Sequence, residues 1–143
     1  PVVQMMKLLP NELFFFRRAD MVRSVLSELY SNAVEHGVLQ LDSSMKNTAD
    51  GFTQYYEQRA DRINELTVGD VRIYLDFDYK RENKELLIRI EDSGKGFQHE
   101  CEDEDLARNT KPWGRGIALV RSLSESVTYS KNGACVEISF SLR

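Results

Sequence analysis

Hydrophobic residues recur at helical spacing in the first third of the chain. From Asp20 to Gly37 they fall about three to four positions apart, so one face of a single helix would be apolar and the other polar. Asp20 is a residue type that caps a helix start, and Gly37 is one that ends a helix. A shorter apolar segment at residues 2–9 predicts a further helix that stops before Pro10.

Alternating apolar and polar residues predict strands in the second half of the chain. One run lies at residues 71–79 and another at residues 86–90, directly before Asp92. Asn132–Gly133 is the strongest hairpin signal and precedes a closing strand at residues 134–142. Because each strand has one apolar face, we predict a two-layer α/β sandwich of the α+β class. Its sheet is expected to be mixed, largely antiparallel and covered on one face by helices.

Residues 38–69 are predicted to form a helical insertion within one domain that spans residues 1–143. Since the chain begins at Pro1 rather than Met, we expect this domain to be excised from a longer regulator. Six residues of the insertion follow helical spacing: Phe52, Tyr55, Tyr56, Arg59, Ile63 and Leu66. Asp50 is a possible cap for this helix. We expect the insertion to lie beside the candidate site and its aromatic stripe to pack on its own domain; the alternative is a partner-docking helix.

The polar face of the long helix carries the first candidate site. Ser24, Glu28, Asn32 and His36 are each four residues apart and so form one ridge. An amide oxygen at Asn32 suits Mg²⁺, which takes few protein ligands and keeps waters and phosphate oxygens. Glu28 is placed to act as a general base one turn earlier. The alternatives are an ordinary solvated face and, for His36, a structural role at the helix end.

A carboxylate directly after a strand is the second candidate feature. Asp92 is followed by Ser93, Gly94, Lys95 and Gly96, and the two glycines permit positive φ and a close approach of backbone to a ligand. The Asp92 carboxylate is a suitable acceptor for an exocyclic amine such as that of adenine. The alternative is an ordinary turn after a strand, for which this composition is common.

A glycine turn at the start of a helix is the third candidate feature. Gly114, Arg115 and Gly116 precede an apolar helical segment, and free backbone N–H groups at a helix start bind phosphate. Arg115 would add a charged hydrogen bond. The spacing matches neither a P-loop nor a dinucleotide-binding fingerprint. Taken alone, the turn is equally explained as a glycine-rich connection.

Composition removes several function classes. The net charge of −4 argues against broad nucleic-acid binding through phosphates. No apolar run is long enough to cross a bilayer and no signal peptide is recognisable, so we expect a cytoplasmic protein without membrane contact. Cys101 and Cys135 form no CxxC pair, so we expect no zinc site.

In this order, the three motifs resemble the Bergerat-type ATP-binding fold shared by histidine kinases, heat-shock chaperone ATPases, type II topoisomerases and mismatch-repair ATPases. The resemblance spans residues 28–120 and implies ATP (or ADP) with Mg²⁺ as cofactors. It implies that Glu28 is the catalytic base, that Asn32 holds Mg²⁺ and that Asp92 reads adenine. It also implies that four glycines shape the pocket: Gly94, Gly96, Gly114 and Gly116.

Within that superfamily, the chain most resembles the anti-sigma-factor serine/threonine kinases of bacteria, in which the helix motif continues as Asn32 to Gly37 do here. The resemblance implies phosphorylation of a small, STAS-like anti-sigma-factor antagonist and possible contact with a sigma factor. The long segment at residues 38–69 resembles members fused to receiver and serine-phosphatase domains. Gly133 is followed by Ala134 rather than the threonine common in relatives, and the strand that often forms a homodimer is not recognisable before Val2, so dimerisation stays open.

Two other function classes remain open on the sequence. The chain resembles, less closely, the catalytic ATP-binding domain of a sensor histidine kinase, which usually follows a helical hairpin with a phospho-acceptor histidine. It is also compatible with a nucleotide-dependent binding module without turnover, although such a module has no need of a base at Glu28. Phosphotransfer to a candidate antagonist would separate the three classes.

Overall fold

The computed structural model describes residues 1–7, 18–78, 84–96 and 115–141. Within these ranges the helices are α1 (Val2–Met6), α2 (Ala19–Asn32), α3 (Ala49–Glu65) and α4 (Arg115–Leu123). The strands are β1 (Val71–Asp78), β2 (Glu85–Asp92), β3 (Ser126–Ser130) and β4 (Cys135–Ser141). Among the described residues, no helix has the length and apolarity needed to span a membrane.

The four strands form one sheet in the order β1-β2-β4-β3, and each neighbouring pair is antiparallel. Ile88 at the centre of β2 stands opposite Leu75 on one side and Ile138 on the other. All three side chains belong to the face that the helices cover. The predicted α+β sandwich with a largely antiparallel sheet is therefore confirmed.

The main core lies between this sheet face and helices α1, α2 and α4. The apolar stripe of α2 is fully buried there, in the residues Val22, Val25, Leu26 and Leu29. Val120 of α4 and Phe140 of β4 join the same cluster. Burial of each such side chain contributes roughly 1.5–3 kcal/mol, so the apolar face of α2 fixes which of its residues remain for the site.

The ends of α2 differ from the sequence prediction. The helix begins at Ala19 after Arg18, so Asp20 lies in its first turn instead of capping it. At its far end the chain continues as a π-helical turn over Ala33–Val38, and Gly37 lies inside this turn. The expectation that Gly37 ends the helix is wrong; its buried position reflects a contact made across the fold.

The insertion forms a smaller second core. A 3-10 turn over Ser43–Asn47 precedes α3, and Thr48 caps α3 through its Oγ1, which accepts a hydrogen bond from the Gly51 N–H at 3.0 Å. The cap is therefore Thr48 and not Asp50. Tyr55 is buried with Leu39 and Leu41.

The aromatic stripe of α3 packs on the domain only at Tyr55, which is 0% exposed. The remaining large apolar members of the predicted stripe are 41–47% exposed: Phe52, Tyr56, Ile63 and Leu66. The cause is the position of α3, which packs chiefly on the 3-10 turn before it instead of on the sheet. The expectation of a self-packed stripe is thus wrong for most of its length.

Candidate functional site

Glu28 and Asn32 form the centre of the polar ridge on α2. Both side chains are partly buried, and the Asn32 amide donates a hydrogen bond to the Glu28 carboxylate. Ser24, one turn earlier, is exposed and bonds only its own helix, through the Asp20 carbonyl at 2.9 Å. The ridge is therefore an ordinary solvated face at Ser24 but not at Glu28.

The Glu28 carboxylate lies directly on the first turn of α4. A Cβ added at Gly116 would lie 2.6 Å from Glu28 Cγ and would overlap the carboxylate itself. Only glycine leaves room for this approach. Two of the sequence motifs, one on α2 and one at the start of α4, are thus brought together by direct contact.

Burial is the main influence on Glu28 and raises the pKa of its carboxyl above the usual value. The positive charges of Lys46 and His36 and the hydrogen bond from Asn32 act in the opposite direction, while the charge of Glu35 adds to the rise. A carboxylate with a raised pKa accepts a proton more readily near neutral pH than an exposed one.

Asp92 closes β2 and is 8% exposed. Its Oδ1 accepts a hydrogen bond from the Gly94 N–H at 2.8 Å. A Cβ added at Gly37 would lie 2.5 Å from both carboxylate oxygens, and one added at Gly94 would overlap the Gly37 carbonyl. Gly37, Asp92 and Gly94 therefore interlock, and the absence of two Cβ atoms makes the space for the carboxylate.

Burial raises the pKa of Asp92, the Gly94 N–H acts to lower it, and the neighbouring charge of Glu91 adds to the rise. Within the described part of the chain, Oδ2 of Asp92 receives no hydrogen bond. One oxygen of a buried carboxylate is thus left for a donor that the described residues do not supply.

Gly96 has a different role from Gly94. Its φ of 84° is in the left-handed region, and a Cβ there would overlap the Asn132 carbonyl in the β3–β4 turn. This glycine joins the end of the Asp92 motif to the closing hairpin. Gly114 lies outside the described residues, as does the side chain of Arg115, whose backbone begins α4.

A cluster around Glu35 was not foreseen from the sequence. The Glu35 carboxylate accepts hydrogen bonds from the Tyr55 hydroxyl at 2.6 Å and from Arg59 Nε at 3.0 Å, and Lys46 Nζ lies 3.7 Å away. Glu35 follows Glu28 by seven residues, which is about two turns of a regular α-helix, but it lies in the π-helical turn that continues α2. Nothing local to the sequence indicates that α3 faces it.

His36 has a structural contact at the end of α2. Its Nδ1–H donates to the Leu41 carbonyl at 2.8 Å, which fixes the turn that leads into the insertion. This agrees with the structural alternative for His36.

The described geometry thus unites a carboxylate–amide pair, a buried acid beside two glycines and a glycine helix start. The histidine kinase-like ATPase domain matches residues 5–140 of this chain. The chain belongs to the histidine kinase-like ATPase family. Neither a curated protein nor a solved structure matches it. The resemblance to the ATP-binding superfamily is confirmed, and domains of this family bind ATP with Mg²⁺.

The residues present fit the nucleotide that the ATPase family implies. Oδ2 of Asp92 is an acceptor suited to an exocyclic amine, and the close contacts with Gly37 and Gly94 hold the carboxylate in place. Because the Asn32 amide nitrogen donates to Glu28, its oxygen remains for a cation. Among the described residues no group of three His, Cys, Asp or Glu side chains is arranged to hold a metal.

Proposed function

We propose that this domain is an ATP-dependent serine/threonine protein kinase of the anti-sigma-factor type. It would act in the bacterial cytoplasm on a small, STAS-like anti-sigma-factor antagonist. The observation that carries the proposal is the Glu28 carboxylate, which is held by Asn32 and lies on Gly116 at the start of α4.

Each site residue has a role in this proposal. Asp92 accepts a hydrogen bond from adenine, and the oxygen of Asn32 is the protein ligand for Mg²⁺. When bound, Mg²⁺ offsets the negative charge of the phosphates. Glu28 takes the proton of the attacking serine or threonine hydroxyl, and its raised pKa suits it to that transfer near neutral pH. The first turn of α4, which begins at Arg115, would offer its backbone N–H groups to the phosphates.

The choice of a protein hydroxyl as acceptor rests on the resemblance of residues 32–37 to the helix motif of the anti-sigma kinases. A base next to the proposed phosphate site supports turnover over mere sequestration of a partner. A sigma factor is the expected second partner in such a switching system.

Radiolabel transfer from ATP to a cognate antagonist tests the proposal with two variants of the same ridge. Glu28→Gln should keep ATP affinity and lower the transfer rate about 10²–10⁴-fold, since it removes the base and keeps the shape. Ser24→Ala, which alters an exposed member of the ridge, is the matched control and should transfer normally.

Two outcomes would contradict the proposal. Equal rates for wild type and Glu28→Gln would remove Glu28 from the mechanism. Acid-labile label on a histidine would instead move the protein to the sensor histidine kinase class.

A further inference from the structure

The insertion brings a lysine to the ridge that carries the candidate base. Lys46 lies in the 3-10 turn Ser43–Asn47, whose start is capped by Asp42 through a 2.9 Å hydrogen bond from the Ser44 N–H. Its ammonium stands 4.1 Å from the centroid of the Tyr55 ring. The side chain is only 18% exposed, so the lysine is held in place rather than extended into solvent.

The position of Lys46 follows from its contact with Glu35. Nζ of Lys46 lies 3.7 Å from Glu35 Oε2. Glu35 lies seven residues after Glu28, in the π-helical turn that continues α2 beyond Asn32. Through this contact Lys46 is held near the polar ridge, close enough for its positive charge to lower the pKa of Glu28.

The contact with Glu35 does not occupy the hydrogen-bond donors of the Lys46 ammonium. Its carboxylate already accepts hydrogen bonds from the Tyr55 hydroxyl and from Arg59, so together with Lys46 two cations lie beside one carboxylate. At 3.7 Å the contact with Lys46 is an ion pair and not a hydrogen bond. Within the described ranges, Nζ of Lys46 donates no hydrogen bond at all. Three N–H donors beside the ridge are thus left for another acceptor.

Charge balance indicates which acceptor this is. A phosphate brought next to Glu28 meets two carboxylates, Glu28 and Glu35, and both repel it. A lysine ammonium is a compact point charge with three donors and is a common phosphate ligand. Lys46 is placed to offset that repulsion, whereas Arg59 is already engaged in a hydrogen-bonded ion pair with Glu35.

We propose that Lys46 binds the terminal phosphate of ATP, so that the insertion supplies part of the nucleotide site. The inference rests on the proposed function in one respect, the placement of the reacting phosphate beside Glu28. It departs from the expectation that the insertion lies beside the pocket without belonging to it.

Nucleotide affinities measured by calorimetry test this with three variants of the same cluster. The ligands are the non-hydrolysable imido analogue of ATP and ADP, each with Mg²⁺. Lys46→Met should lower the affinity for the triphosphate analogue roughly 10- to 100-fold and the affinity for ADP much less. The reason is that the variant loses a hydrogen bond to the charged terminal phosphate, which ADP does not have. Lys46→Arg should restore most of the preference.

Arg59→Met is the matched control, since it removes the other cation of Glu35 without altering the charge that acts on Glu28. It should leave the ratio of the two affinities unchanged. If Lys46→Met fails to fold by thermal unfolding, Lys46→Gln replaces it.

If Lys46→Met loses the same affinity for both ligands, or loses no affinity for either, the proposed role of Lys46 is overturned. If the wild-type protein binds the analogue but phosphorylates no protein, the proposed function is refuted. The role of Lys46 would then still be tested by the ratio of the affinities for the analogue and for ADP. A wild-type protein with no affinity for either nucleotide would overturn both.

Discussion

Gly116→Ala displaces the candidate base without changing it. The added methyl would occupy the place of the Glu28 carboxylate, so the glutamate must rotate away. In the first turn of α4, alanine gains up to about 1 kcal/mol over glycine in helix propensity. A strained Glu28 rotamer costs about 0.5–1.5 kcal/mol, and loss of its bond from Asn32 costs about 1 kcal/mol. The net destabilisation is therefore only about 0.5–1.5 kcal/mol.

The catalytic effect should be much larger than the effect on folding. A misplacement of about 1 Å can lower a rate on the order of 10²-fold, and this carboxylate must move by at least that much. Urea unfolding measures the change in stability, calorimetry the ATP affinity, and radiolabel transfer the rate. Comparison with Glu28→Gln and with the double variant shows whether both changes act through one group.

If both act through Glu28, the double variant should be no slower than Glu28→Gln alone, because the base is lost only once. Multiplicative losses in the double variant would refute this reasoning. The reasoning would also be refuted if Gly116→Ala lost ATP affinity but kept its phosphotransfer rate at saturating ATP. That result would mean that Gly116 is needed for the close approach of phosphate and not for the position of Glu28.

Two further variants test the adenine side and the insertion. Asp92→Asn should weaken ATP binding by about 1–3 kcal/mol in calorimetry, yet stabilise the nucleotide-free domain at pH 7. Burial raises the pKa of Asp92 in the folded state, so the wild type loses stability as pH rises through this folded-state pKa. The difference in free energy of unfolding between variant and wild type should therefore vanish below the pKa that Asp92 has in the unfolded chain. A variant that is less stable than the wild type at pH 7 would contradict this. Tyr55→Ala should cost about 3–5 kcal/mol in urea unfolding, whereas its exposed neighbour Tyr56→Ala should stay within about 0.5 kcal/mol; equal costs would contradict the assigned packing.

The elements that the sequence predicted well are those with a local cause. Helical spacing of apolar residues predicts α2, because a helix buries whichever face is apolar. Alternation predicts β1 and β2, and Asn132–Gly133 predicts the β3–β4 hairpin, in which Asn132 does adopt a positive φ of 56°. Each of these signals lies within one or two turns of chain, so tertiary contacts are not needed to recognise it.

The errors arose where distant contacts override local preference. Gly37 has the composition of a helix C-cap, yet its position is decided by Asp92, which comes from another element. The aromatic spacing of α3 predicts a buried stripe, but only Tyr55 finds partners, in Leu39, Leu41 and Glu35. Spacing shows which residues share a face and cannot show what, if anything, covers that face.

The glycines of the candidate site illustrate the same difference. From sequence, Gly94 and Gly96 were equivalent members of one motif that permits positive φ or close approach. Of Gly37, Gly94 and Gly96, only Gly96 has a positive φ. The other two are needed because a Cβ would displace the Asp92 carboxylate or the backbone beside it. Two of these three glycines therefore serve the placement of an acid and not the flexibility of a loop.

Both candidate acids are placed at a cost to the nucleotide-free fold. Burial raises the pKa of Glu28 and of Asp92, which means that each charged form is less favourable here than in water. The described residues return only part of that cost, through one N–H on Asp92 and, on Glu28, through the charges of Lys46 and His36 and the amide of Asn32. An adenine amine and a cation at the phosphates would supply the missing partners. Under the proposed function, such a ligand would bind the folded state alone and stabilise it by mass action, and relief of the unfavourable charge at these two carboxylates would contribute to nucleotide binding.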